Sequence, residues 1–355
     1  MPRPPETGQR PTDDPHDEQE QLTPLPPPDA AVPQQMINEP EAMAANQLYG
    51  TAPPADHLEQ ETAGFVEGTS LWRDAWRRLR KNKLAVMGGI VILFIIVAAI
   101  IGPSILYQIY GYTYETIPSE RLLVRAMPPS WQHLMGTDPQ GRDVLARILV
   151  GGRISLMVAL VSTAVSLLIG VSYGAVAGYL GGKIDNVMMR FVDLIYAVPL
   201  MIIVIVLLAL FEKSLILLFA TLGAVSWLTM ARIVRGQVLS LKHQEFVEAA
   251  RSIGVPTWKI IMRHLVPNTL GPVIVYATLT VPSVILQEAF LSFLGLGVQA
   301  PLSSWGTLAS EGADNIAIFP WMIIFPGVTM ALALFSLNFV GDGLRDALDP
   351  HMRRE

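Results

Sequence analysis

Glu248, Ala249, Ala250, Gly254 and Pro267 are the residues of this chain whose types and spacing point most directly to a task. They lie in the stretch 245–268. There Phe246, Ala249, Ala250 and Ile253 are spaced as one face of a short helix. Gly254 suits the left-handed conformation that ends a helix, and Pro256 suits the first turn of the next. Trp258, Ile261, Met262 and Leu265 give that second helix an apolar face of its own. The pattern assembles no acid, base or nucleophile. It makes a two-helix knob, low in profile at its alanines, that fits a partner's groove. An amphipathic loop resting on a membrane satisfies the same pattern, and residue types alone leave both readings open.

Signals for catalysis are absent elsewhere. A phosphate-binding loop needs Gly-x-x-x-x-Gly-Lys-Ser/Thr. At Gly181-Gly182-Lys183 the first glycine is missing at that spacing, and Ile184 follows the lysine. His243, His264 and His351 have no second histidine at metal-ligand spacing and read as solvated or interfacial. The chain has no cysteine, which removes disulfides, Cys-ligated zinc and thiol catalysis. The expectation is a protein that is not an enzyme, with no metal site and no cofactor of its own. Glu288 stands apart as an acid within an apolar run, and intramembrane carboxylates are functional candidates because burying a lone charge is costly. Its position near one end of that run puts headgroups or water within reach. A gate and plain hydrogen bonding in a helix bundle are both open. Asp193 is expected to snorkel or to pair with Arg190, three residues away.

These residues sit among long apolar stretches. A membrane span needs about 20 mostly apolar residues, and six stretches meet that length: 84–107, 154–180, 191–211, 214–233, 269–290 and 318–340. The predicted class is an all-α integral membrane protein with six transmembrane helices. Gly170, Gly174 and Gly178 fall on one face of the second span and offer a groove for close helix packing. Pro199, Pro272, Pro282 and Pro326 lie within or at the edges of spans as kink sites.

Charge sets the expected orientation. Arg73, Arg77, Arg78, Arg80, Lys81 and Lys83 precede the first span against a single Asp74, which places the N-terminus in the cytoplasm. Six spans then return the C-terminus, with Arg353 and Arg354, to the same side. The loop 236–267 is cytoplasmic, and 295–317, without Lys or Arg, is external. The loop between the first two spans fits poorly, holding Arg121, Arg125, Arg142 and Arg147 beside Glu115, Glu120, Asp138 and Asp143. Residues 71–83 read as a basic amphipathic interfacial helix with Trp72 and Trp76 at the lipid boundary. Residues 1–70 differ from the rest, with thirteen acids, two arginines and a Pro26-Pro27-Pro28 run. Such a segment buries too little apolar surface to offset its chain entropy and reads as a disordered tail. The remainder, 84–355, is the transmembrane domain. The low charged fraction of 15% and mean hydropathy of +0.42 agree with a chain held largely in lipid.

The loop resembles the Glu-Ala-Ala signature of ABC importer permeases, in which three residues, a Gly and nine residues lead to Ile-x-Leu-Pro. Glu248, Ala249, Ala250, Gly254 and Pro267 match, while His264 and Val266 replace the usual Ile and Leu. Gly136-Thr137-Asp138-Pro139-Gln140-Gly141-Arg142-Asp143 and the run from Glu288 through Leu291-Ser292-Phe293-Leu294-Gly295 to Gly297 resemble stretches of the dipeptide/oligopeptide/nickel branch, closest to its C-type subunit. The resemblance covers 71–355. It implies a type I importer-like permease in the bacterial cytoplasmic membrane, whose loop docks on a cytoplasmic ATPase. It further implies a second permease subunit, two ATPase subunits that carry ATP and magnesium, an extracytoplasmic solute-binding protein, the lipid bilayer and no nucleic acid. Peptides are the expected cargo, with nickel or sugars as alternatives in the same family. A secondary transporter or a membrane scaffold is the alternative of another class.

Overall fold

The computed structural model describes residues 71–116, 126–211 and 213–348. The acidic segment 1–70, Arg121, Arg125, Glu120, His351, Arg353 and Arg354 lie outside the described residues. Among the described residues all regular structure is helical, apart from one antiparallel bridge between Thr137 and Asp143.

The chain opens with α1 (Leu71–Lys81). Asn82 then caps α2 (Lys83–Tyr110), its side chain accepting from the Ala85 N–H at 3.2 Å. Asp143 caps α3 (Val144–Leu180) in the same way. At 37 residues α3 is about 55 Å long, well beyond the ~30 Å hydrocarbon core. Its start lies ten residues before the apolar run, because the cap at Asp143, not the first lipophilic residue, sets where the helix begins.

The third span departs from expectation. In place of one helix over 191–211 the chain forms α4 (Gly182–Tyr196) and α5 (Leu200–Leu210), bent by 73° at residues 197–199. Pro199 has no N–H to bond into a continuing helix and disfavours helical geometry at Val198 before it. Among the described residues there are therefore five continuous helices long enough to cross a membrane, and six spans when the bent pair counts as one.

Ser214 caps α6 (Leu215–Leu241), and a hairpin follows: α7 (Glu245–Ser252) and α8 (Thr257–Lys259). The latter runs through a π-helical stretch (Ile260–Leu265) and a last turn (Val266–Asn268) into α9 (Leu270–Phe293). A short helix absent from the expected elements, α10 (Trp305–Asp314), starts at a reciprocal cap between Ser304 and Thr307. It precedes α11 (Trp321–Leu348).

Helices α3 and α6 form the most extensive pair. A Cβ on Gly170 would come within 2.8 Å of the Trp227 carbonyl oxygen, and one on Gly178 within 2.9 Å of that of Arg235. A Cβ on Gly174 would press into the Ala231 carbonyl. Gly223 of α6 returns the fit by receiving Val165 of α3. Small residues at the interface let the two backbones approach, which is how helices gain packing energy in lipid.

Candidate coupling site and its supporting clusters

The hairpin is built on an anchored inner face. Val247 and Ala250 of α7 are buried with Ile260, Ile261 and Leu265 against Ala175 of α3, Val234 and Val238 of α6 and Val273 of α9. Arg251 lies over the Tyr179 ring, 5.6 Å from its centroid, a second tie to α3. Gly254 turns the chain with φ +77°, where an L-residue is strained. The Val255 N–H bonds back to the Ala250 carbonyl at 3.0 Å and the Gly254 N–H to that of Arg251 at 3.0 Å, closing α7. Pro256, with φ −65°, opens α8.

The apolar face expected from spacing is divided. Ala250 points inward, where Val247 joins it one turn earlier, whereas Phe246, Ala249 and Ile253 are exposed. On the second helix Ile261 and Leu265 are buried, and Trp258 and Met262 are exposed. The result is an apolar crown in which Ile253 is 80% and Trp258 62% exposed, carried on a buried base. Glu248 is exposed beside it. Pro267 lies just past the π-helical stretch. It has no N–H, and its ring crowds the Arg263 carbonyl, so the preceding turn widens and the Val266 N–H bonds five residues back to Ile261.

At the other end of α3 lies a charge cluster that spacing did not single out. Asp138 is fully buried and accepts from the Gln140 and Arg142 N–H groups, from Arg142 Nε at 2.6 Å and from Arg147 Nη1 at 2.9 Å. Arg147 also grips Glu311 of α10 with both Nη atoms, at 2.6 and 3.0 Å. Two signals were visible in the sequence: the i,i+4 spacing of Asp138 and Arg142, and the Gly-Thr-Asp stretch itself. Glu311, 164 residues from Arg147, had none. Gly136 adopts φ +77°, and a Cβ there would collide with the Met127 carbonyl and the Trp321 indole.

Glu288 is 0% exposed, so the expected access to headgroups or water does not hold. α10 packs over it. Glu288 Oε1 accepts from Ser292 Oγ and from Ser304 Oγ, each at 2.7 Å. A Cβ on Gly306 would lie 3.0 Å from Oε2. Beside it the Trp305 indole donates to the Ile148 carbonyl at 3.1 Å, and the Trp305 N–H to Ser155 Oγ at 3.0 Å. Asp193 pairs with Arg232 of α6 at 2.7 Å instead of with Arg190, because the packing of α4 on α6 brings the longer-range cation into reach. About two turns earlier in α4, Asp185 holds Arg235 through two bonds of 2.5 and 2.7 Å.

Residues 145–354 match the family of binding-protein-dependent transport system inner membrane components, and residues 70–129 match the N-terminal TM domain of oligopeptide transport permease C. The chain is 49% identical to the oligopeptide transport system permease protein OppC of Haemophilus influenzae, over 84% of this chain and 94% of the relative. It is 46% identical to OppC of Bacillus subtilis, over 80% and 91%. It is also 46% identical to the dipeptide transport system permease protein DppC of that organism, over 84% and 90%. With a helical architecture that crosses the cytoplasmic membrane several times and these matches, the chain belongs to the family of inner membrane components of binding-protein-dependent transport systems.

Proposed function

We propose that the chain is a membrane-spanning subunit of an ATP-driven peptide importer, forming half of the translocation pathway with a homologous second permease subunit. The relatives' names, oligopeptide and dipeptide permeases, support peptides as the cargo class. The N- and C-termini and the hairpin face the cytoplasm. There, two ATPase subunits bind ATP with magnesium and close on each other. A solute-binding protein delivers cargo on the opposite face.

The carrying observation is the hairpin's division into a buried base and an apolar crown. Exposed apolar groups of this size mark a docking surface. Because the base is packed on α3, α6 and α9 together, a push on the crown moves three spans as a unit, which is what rigid-body alternating access requires. Glu248, Ala249, Ala250, Gly254 and Pro267 shape this coupling element. Gly170, Gly174 and Gly178 keep α3 and α6 moving together, and Glu288 holds α10 to α9 at the far end.

Purification of the tagged chain from its native membrane in mild detergent, with mass spectrometry of the proteins retained, tests the reading. A second permease and ATPase subunits should be recovered. The doubly substituted Ile253→Asp/Trp258→Asp chain should remain in the membrane and lose the ATPase. Recovery of the wild-type chain alone, under conditions that hold known complexes together, refutes the assignment.

A further inference from the structure

Arg153 of α3 is a cation at membrane depth with no acid paired to it among the described residues. Pro103 interrupts α2 and, lacking an N–H, leaves the Ala99 carbonyl without its helical donor. Arg153 supplies one: Nε donates to the Ala99 carbonyl at 2.6 Å and Nη2 to that of Ile100 at 2.5 Å. Carbonyls are neutral, so the guanidinium charge persists. The ion pairs among the described residues engage His133 and other arginines, and none places a carboxylate within 4.0 Å of Arg153. A charge held in apolar surroundings requires a counter-charge.

The surroundings indicate which one. Arg153 lines a cleft of about 580 Å³ between α2 and α3, within the size range of ligand sites. Tyr107, Gln108 and Tyr114 form one part of its wall, and Val150, Ile154 and Met157 of α3 another. Ala99 lies 16 residues beyond Lys83, about 24 Å along α2, and Tyr107 about 36 Å. Lys83 marks one membrane surface, so the ~30 Å core ends between these levels. The tyrosines then fall at the far interface, where aromatic residues gather, and Arg153 reaches up to it. Met157, four residues further along α3, lies about 6 Å deeper. Polar groups at the interface, a cation just below and an apolar wall below that match the order of headgroup, phosphate and acyl chain in a phospholipid.

We propose that this cleft seats one phospholipid of net negative charge, its phosphodiester on Arg153 and an acyl chain along Met157. A single unpaired cation is neutralised by a single phosphate that carries no ammonium of its own, so phosphatidylglycerol is favoured over phosphatidylethanolamine. The lipid would fill the cleft that Pro103 lines together with Arg153.

The test is native mass spectrometry of the whole transporter complex taken from nanodiscs of phosphatidylglycerol or phosphatidylethanolamine. Wild type should retain one phosphatidylglycerol per copy of this chain through detergent washing, and phosphatidylethanolamine at about tenfold lower occupancy, the worth of one charged hydrogen bond. Arg153→Gln should lower phosphatidylglycerol retention about tenfold, and Arg153→Lys should restore part of it. Met157→Trp blocks the acyl wall while leaving the Arg153 bonds to α2 in place. It should also lower retention, and it decides the matter alone if Arg153→Gln does not accumulate. A photoreactive residue at position 157 should capture lipid. Equal retention in all variants, equal retention of the two lipids, or capture of a polypeptide in place of lipid overturns the proposal.

Discussion

Asp143 serves three partners with one carboxylate. Oδ1 accepts from the Ala146 N–H and caps α3 at 2.8 Å, while Oδ2 accepts from the Tyr112 hydroxyl at 3.1 Å and lies 2.9 Å from His133 Nδ1. Asp143→Ala should cost about 1–3 kcal/mol, from the lost cap and the lost bonds to Tyr112 and His133, and should lower the thermal midpoint in detergent. Asp143→Asn keeps the capping oxygen and should recover most of that loss. Glu288 makes a similar contrast. If it anchors α10, Glu288→Gln should leave assembly and uptake near wild type, because Oε1 remains to accept from Ser292 and Ser304. Glu288→Ala strands both hydroxyls and should reduce the assembled fraction. Impaired uptake by a stably assembled Glu288→Gln transporter would favour a gating role. The capping spacing at Asp143 was open to reading in the sequence. The burial of Glu288 was not, because α10, which covers it, begins at a cap of Ser304 and Thr307 outside any long apolar run.

At the scale of the element, the hairpin turn and the broken span are each open to a direct test. Gly254→Ala forces an L-residue into φ +77° and should cost about 1–2 kcal/mol locally, loosening the hairpin without removing the protein from the membrane. The readout is transport-coupled ATPase activity in the reconstituted complex, which should fall. The α4–α5 bend depends on Pro199, with Arg232 bracing α4 through Asp193 and lying 4.1 Å from the Tyr196 ring centroid. Pro199→Ala restores an N–H and should let the pair straighten from 73°. Spin labels at Val187 and Leu210, both exposed, should then read a longer separation. An unchanged distance would mean that packing on α6, not the proline, holds the bend. The proline was visible in sequence as a kink site. Its angle was not, because a proline marks where a helix breaks and not how far the two halves turn.

For the whole molecule, the absence of cysteine makes sidedness directly measurable. Ile253→Cys, on the exposed crown, should react with an impermeant maleimide only after the membrane is opened. Ala317→Cys, exposed one span later, should react in intact cells. The reverse pattern would invert the orientation, and labelling of both on one side would remove a span between them. Arg142 and Arg147, which sit badly with the charge rule, are held by Asp138 and Glu311, so their charge is spent inside the fold and does not anchor a membrane surface. The helical class and the apolar spans were legible in the residues alone, because a chain in lipid must satisfy its backbone within each helix and a long apolar run leaves few alternatives. The Glu-Ala-Ala hairpin was legible for a related reason: its turn needs a glycine at position 254 and a proline soon after, and both are local demands. Which of its faces is buried, which carboxylate meets which arginine, and that Arg153 mends the carbonyl freed by Pro103 were decided only by the tertiary structure. Each of those depends on groups far apart in the chain, such as Arg147 and Glu311, and local pattern holds no record of where a distant helix will come to rest.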